Sequence, residues 1–102
     1  MTENIFQSKL IRDLRTLFPG CIILKNDPNY LQGFPDLLIL YHNKWAALEV
    51  KDSEQASEDP SLQPNQAYYI TVLDRMSYAS FIYPENMKRV LNELQQTFRS
   101  HW

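Results

Sequence analysis

Hydrophobic residues recur at helical spacing in three stretches of the chain, which predicts three helices. The first covers residues 2–18 and ends before Pro19-Gly20. The second begins near Pro64 and continues to residue 76, because proline suits a first helical position. The third covers residues 85–98. The apolar stripes of the first and third helices are Phe6, Leu10, Leu14 and Leu17, and Met87, Val90, Leu91, Leu94 and Phe98.

Shorter apolar runs predict four β-strands. They lie at residues 21–25, 35–41, 44–51 and 78–83. The second and third runs are separated by His42-Asn43, where we expect a tight hairpin turn because asparagine tolerates positive φ. The stretches 26–34 and 52–62 are expected to be loops, the second of them flexible. The order α-β-β-β-α-β-α predicts one α/β domain over residues 1–102.

Three charged residues stand in the predicted hairpin, where apolar side chains would fill a core. If the turn has two residues, Tyr41 pairs with Lys44, and counting along the strands places Asp36 opposite Glu49. Lys51 then shares a face with Glu49, because side chains alternate along a strand. Two opposed carboxylates repel each other, and a bound cation would offset this repulsion. A three-residue turn would keep both on one face, whereas a slip of one residue would separate them.

Two polar residues lie on the apolar faces of predicted helices. Glu3 is in line with the stripe of the first helix, and Gln66 is at the centre of the face of the second. Each has an ordinary alternative, since an acid in a first turn favours the helix dipole and a terminal turn is easily solvated. The carboxylates and the backbone carbonyl between Glu49 and Lys51 would make an oxygen-rich pocket. Such a pocket suits Mg²⁺, and with Lys51 it holds the parts that phosphodiester hydrolysis needs.

Composition and charge narrow the classes of function. The chain has 12 acidic and 10 basic residues, a net charge of −2 and a pI of about 5.6. Any nucleic-acid role therefore needs a local basic surface, bound cations or a second subunit. No apolar run approaches the length of a membrane span, and the first ten residues do not read as a signal peptide, so we expect no membrane partner. Cys21 is the only cysteine, which fits a reducing compartment.

The motif Pro35-Asp36 followed by Glu49-Val50-Lys51 resembles that of the PD-(D/E)xK nuclease superfamily. The segments GFPDLLIL, ALEVK and PNQAYY are similar to those of the small stand-alone VRR-NUC nucleases, many of them from phages. Those nucleases place a glycine before the Pro-Asp pair and a glutamine at the start of the second helix, here Gly33 and Gln66. The resemblance implies a restriction-endonuclease-like αβββαβ core with a mixed central sheet flanked by helices. It covers residues 3 to about 83, so the C-terminal helix is an addition to it.

The resemblance implies a DNA endonuclease that depends on Mg²⁺ or Mn²⁺. Asp36 and Glu49 would be metal ligands together with the Val50 carbonyl, and Lys51 would hold or activate the attacking water. Glu3 would act through a water on the metal. Gln66 would support Lys51 or the scissile phosphate, which completes the implied catalytic set.

The resemblance also implies DNA as the partner and a homodimer whose two sites make paired cuts, often at Holliday junctions or other branched DNA. Twofold symmetry would suit a symmetric junction. The implied compartment is the cytoplasm of a bacterial or phage-infected cell. Candidate DNA contacts are Lys9, Arg12, Arg15, Lys25 and Gly33, with Lys88 and Arg89 on the last helix. Alternatively, the basic side chains on the helices only form solvated helix faces and do not contact DNA. Aromatic residues that could stack on unpaired bases, or belong to the core or an interface, are Tyr30, Phe34, Tyr68 and Tyr78.

Two other functions stay open at this point. The chain could be a catalytically silent, nuclease-like module that binds nucleic acid or protein, which its acidic net charge favours. It could also be a structural domain whose charges are solvated strand ends, since Asp36 begins one strand and Glu49 nearly ends the other.

Overall fold

The computed structural model describes residues 1–59 and 64–99. Its elements, in chain order, are α1 (Glu3–Leu17), β1 (Ile22–Lys25), β2 (Leu37–Tyr41), β3 (Lys44–Val50), α2 (Glu54–Glu58), α3 (Pro64–Met76), β4 (Ala79–Ile82) and α4 (Met87–Arg99). The predicted α/β class is confirmed, and so is the order of the main helices and strands. No helix within these ranges is long and apolar enough to cross a bilayer.

The four strands form one mixed sheet in the order β1-β2-β3-β4. β1, β2 and β3 are antiparallel neighbours, and β4 lies parallel to β3. Tyr41 pairs with Lys44, so the hairpin has the predicted two-residue turn. The sequence predicts the positive φ at Asn43, but the structure has it at His42, with a φ of 55°. Histidine adopts positive φ more readily than most residues, so this conformation costs little free energy.

One face of the sheet packs against α1 and α4. Alternation along the strands turns Leu37 and Ile39 of β2, and Ala46, Leu48 and Val50 of β3, to this face. Apolar stripes at helical spacing on α1 and α4 cover them and exclude water. The buried cluster consists of Leu37, Ile39, Ala46, Leu48, Val50 and Ile82 from the strands, Phe6, Leu10, Leu14, Val90, Leu94 and Phe98 from the helices, and Phe18 at the end of α1.

The opposite face is covered by α3 over its β3–β4 half. Leu73 packs there against Ala47 and Ala79, with half-buried neighbours around them. On the β1 side of the same face, Ile22 and Leu24 are exposed. The second face therefore keeps an apolar half that no described element covers.

Two further sequence expectations need correction. The stretch that was predicted to be a loop, 52–62, contains the five-residue helix α2. Its start is capped by Ser53, whose hydroxyl accepts the N–H of Ala56 at 3.2 Å. Residues 60–62 of that prediction lie outside the described residues. α4 begins at Met87, two residues later than predicted, because the side chain of Asn86 accepts the N–H of Tyr83 at 2.8 Å and holds a turn before the helix.

Candidate active site

Asp36 and Glu49 face each other at one end of the sheet. Leu37 pairs with Leu48, so the next position outward sets Asp36 directly opposite Glu49, as the two-residue turn predicts. The N–H of Val50 donates to Asp36 Oδ2 at 2.8 Å and holds that carboxylate against the end of β3. The face shared by the two acids is the one that α3 partly covers.

Lys51 and Gln66 complete a cluster around Glu49. Lys51 Nζ lies 3.5 Å from Glu49 Oε2, and both side chains are almost fully buried. Gln66 Nε2 donates to the same Glu49 oxygen at 3.1 Å. Burying a carboxylate and an ammonium is costly unless they are paired and hydrogen-bonded, so each of these groups stabilises the others. Gln66 reaches the site from the first turn of α3, the helix that the sequence predicts to begin near Pro64.

The two carboxyl groups resist losing their protons. Burial, followed by the charge of Asp36, raises the pKa of Glu49 to about 8, against the opposing charge and hydrogen bond of Lys51. Burial also raises the pKa of Asp36, although the Val50 N–H, the Lys51 charge and a hydrogen bond with Glu49 oppose the rise. Neighbouring acids whose pKa values are raised by burial and by mutual repulsion are common at functional sites.

Glu3 lies close enough to this cluster to feel its charges. Its pKa is raised by partial burial and then by the negative charges of Asp36 and Asp52, while the Lys51 charge lowers it. Glu3 is the first residue of α1, on the other side of the sheet from α3. Asp52 was not singled out from the sequence, although its position next to Lys51 at the head of an acidic run was a usable signal.

The donor atoms at this site are oxygens, which matches what Mg²⁺ and Mn²⁺ bind. Besides the two carboxylates, the Val50 carbonyl points to the β2 side of β3, because a strand residue turns its N–H and C=O to the same side. Gln66 Oε1 is buried without a hydrogen-bond partner, which leaves an acceptor for a donor such as water. The described residues contain no cluster of three or more His, Cys, Asp or Glu side chains able to hold a metal.

The candidate DNA contacts are not all gathered at this site. Lys25 ends β1 at the site end of the sheet, where it is exposed. Lys9 already pairs with Asp13 at 2.8 Å on the outer side of α1. Arg12 and Arg15 are exposed, at about 14 and 18 Å along the helix from Glu3 at 1.5 Å per residue.

Gly33 lies in the site's supporting structure. Its φ is +87°, and a Cβ added there would collide with the side chain of Asn65 and lie 3.1 Å from the Asn65 carbonyl carbon. The residue next to Asn65 is Gln66, so glycine at this position lets the loop before Asp36 lie directly on the start of α3.

Comparisons with protein-family models, with curated proteins and with solved structures give no match for this chain. The assignment of the site therefore depends on its own geometry and donor chemistry.

Proposed function

We propose that this protein is a Mg²⁺- or Mn²⁺-dependent DNA endonuclease with a restriction-endonuclease-like core. The observation that carries the proposal is half-buried Asp36 opposite Glu49, which is itself buried beside Lys51. A fold gains no stability from placing two carboxylates side by side in a buried position. The arrangement becomes favourable when a divalent cation lies between them, and that is what supports a catalytic role.

A cation held by Asp36, Glu49 and the Val50 carbonyl would polarise a phosphoryl oxygen and make a water a better nucleophile. The remaining work falls to side chains of the chain itself. The ammonium of Lys51, fixed by its pairing with Glu49, can orient the attacking water and stabilise negative charge at the phosphate. Gln66 holds Glu49 through its amide nitrogen and offers its free oxygen to a donor in the site. Glu3 adds a further hydrogen-bond acceptor at the edge of the site.

Branched DNA, including Holliday junctions, is the proposed substrate class, and the proposed active form is a homodimer. The aromatic segment with Tyr69 and Tyr78 is one candidate interface, but these side chains are engaged within the chain. Tyr69 packs against Phe34 with ring centroids 5.4 Å apart, and the Tyr78 hydroxyl donates to Glu93 at 2.6 Å. The uncovered half of the sheet, with Ile22 and Leu24, is the better candidate and lies on the face that carries Asp36.

A second candidate is a catalytically silent module that binds nucleic acid or protein. The net charge of −2 favours the protein-binding form of this module over the nuclease, because an acidic chain does not attract phosphates. DNA binding that is indifferent to Mg²⁺, without cleavage of any substrate, would support the module over the nuclease.

The deciding experiment is a cleavage assay on labelled four-way junction, flap, single-stranded and duplex DNA with Mg²⁺, Mn²⁺ or EDTA. We expect metal-dependent cleavage by the parent protein and a loss of at least about 100-fold in Asp36→Ala, because electrostatic groups at such sites contribute that much. Asp13→Ala, which removes a half-buried carboxylate about 15 Å along α1 from Glu3 and frees Lys9, is the matched control and should lose no activity. An Asp36→Ala protein that is folded and cuts as fast as the parent would show that the site is wrongly assigned.

A further inference from the structure

We propose that Tyr30 is a stacking platform for an unpaired base, so that DNA with unpaired nucleotides beside the cleavage site is the preferred substrate. The inference rests on the proposed function for the place of the DNA. Tyr30 is 86% exposed, although tyrosine has a large apolar ring that folded proteins usually cover. A single exposed side chain is ordinary, so the argument depends on how this one is held and where.

The loop that carries Tyr30 is fixed by its own hydrogen bonds. The Asp27 carbonyl accepts the N–H of Tyr30 at 3.0 Å and that of Leu31 at 3.4 Å, and Asp27 Oδ1 accepts the N–H of Asn29 at 2.9 Å. The Asn26 side chain donates to the Leu31 carbonyl at 3.4 Å. The backbone at Tyr30 is thus held while its ring stays in solvent. A ring on a fixed loop loses little conformational freedom when it binds, which favours affinity.

Both ends of this loop meet at the candidate active site. The N–H of Asn26 donates to the carbonyl of Asp36 at 2.8 Å, so the loop closes on a proposed metal ligand. Gly33 lies against Asn65, the neighbour of Gln66. Tyr30 is three residues from Gly33, which limits their separation to about 11 Å. A base stacked on Tyr30 would therefore belong to the same part of the DNA strand as a phosphate bound at Asp36.

The other aromatic candidates are less suited to receive a base. Tyr78 donates its hydroxyl to Glu93 and is half-buried, and Phe34 packs edge-on against Tyr69. Tyr68 is 62% exposed, but it lies two positions after Gln66 on α3. Two positions correspond to about 200° around a helix, which turns Tyr68 away from the site.

The charge of the chain gives stacking a larger share of the binding. The chain has 12 acidic against 10 basic residues, and Lys9, Lys51 and Arg89 already pair with acids, so its net charge does not attract phosphates. Stacking of a base on an aromatic ring does not depend on charge and accepts any base. Unpaired nucleotides offer such a face, whereas the bases of an intact duplex are stacked on each other.

The test is the affinity of a labelled single-stranded thymidine oligonucleotide and of a hairpin duplex, measured by fluorescence anisotropy in Ca²⁺ and in EDTA. We expect Tyr30→Ala to lose at least about fivefold in affinity for the single strand and little for the duplex, and Tyr30→Phe to keep the parental affinity. The loss should be equal at about 50 and 200 mM salt, because stacking releases no counterions. Lys25→Ala should instead make the salt dependence shallower on both DNAs.

Tyr68→Ala is the matched control, since it removes an exposed tyrosine on the far side of α3. Equal losses in Tyr30→Ala and Tyr68→Ala, equal losses on both DNAs, or no DNA binding by the parent would overturn the proposal. A Tyr30→Ala protein whose sedimentation shifts without a change in DNA affinity would also overturn it, and would assign Tyr30 to a protein contact. If Tyr30→Ala selectively loses the single strand while the parent shows no metal-dependent cleavage, the nuclease proposal fails and the stacking role stands.

Discussion

At Glu49, burial disfavours the ionised carboxylate that the proposed function requires. Its pKa of about 8 means that the folded protein holds a proton that the unfolded chain, with an ordinary glutamate near 4.5, has released. Between these values the folded state binds more protons than the unfolded state, so the free energy of unfolding falls as pH rises. The raised pKa of Asp36 acts in the same direction.

We therefore expect the metal-free protein to lose stability as pH rises from about 4.5 to about 8. One extra proton sets a limiting slope of about 1.4 kcal/mol per pH unit. Urea unfolding in EDTA across this range measures the effect. Glu49→Gln should flatten the profile, since its side chain does not titrate. A parental profile that is level or rises over this range would contradict the assignment.

Metal binding should reverse that trend. A cation at the two carboxylates favours their ionised forms, so binding releases protons and tightens as pH rises. In the same urea series, Mn²⁺ should stabilise the parent more at about pH 8 than at about pH 6, and should not stabilise Asp36→Ala.

At the scale of elements, the contact between the loop before β2 and the start of α3 depends on glycine. Gly33→Ala has to accept a positive φ and to displace Asn65, which we expect to cost about 2–4 kcal/mol of unfolding free energy. Gly20→Ala is the matched control, because Gly20 has the same positive φ with nothing within 4 Å and should cost only about 1–2 kcal/mol. Chemical denaturation of both variants gives the two losses, and equal losses would show that the contact with Asn65 is not tight.

The elements differ in how far the sequence predicts them. The register of β2 with β3 follows from the two-residue turn between them. A slip of one residue would turn every side chain of a strand to the opposite face, so the pattern of apolar residues excludes it. α2 could not be predicted from periodicity, since five residues with no buried side chain show no apolar stripe. The bond from Gln66 to Glu49 joins positions 17 residues apart, and its existence depends on how α3 lies on the sheet. Spacing along the chain indicates the face of Gln66 but not its partner.

At the scale of the whole molecule, the sheet is covered unequally. α1 and α4 cover one face fully, whereas α3 covers only the β3–β4 half of the other. The uncovered half contains Ile22 and Leu24 of the edge strand β1, with Leu40 and Trp45 half-buried beside them. A second copy of the chain would offer the same apolar surface in a twofold arrangement.

We expect the parent protein to be a dimer in sedimentation or light scattering, and Ile22→Glu to shift it to monomer, because a carboxylate at this surface would be buried without a partner. Ile5→Glu is the matched control: Ile5 is 59% exposed against 57% for Ile22, but it lies on α1, across the sheet. Loss of the dimer in both variants, or in neither, would place the interface elsewhere, and a monomeric parent would remove the dimer from the proposed function.

The polarity of the β2–β3 hairpin determines how the chain can be joined to other polypeptides. The site occupies the end of the sheet where β2 begins and β3 finishes, and Glu3 is held beside it. α4 finishes at the opposite end, where Phe98 packs against Tyr41 at the turn, with ring centroids 5.6 Å apart. A tag or fused domain placed ahead of α1 is therefore joined next to the carboxylates, where it would compete with the DNA of the proposed function. One attached beyond α4 is joined at the opposite end of the sheet, so C-terminal fusions are the better form in which to test the proposed activity.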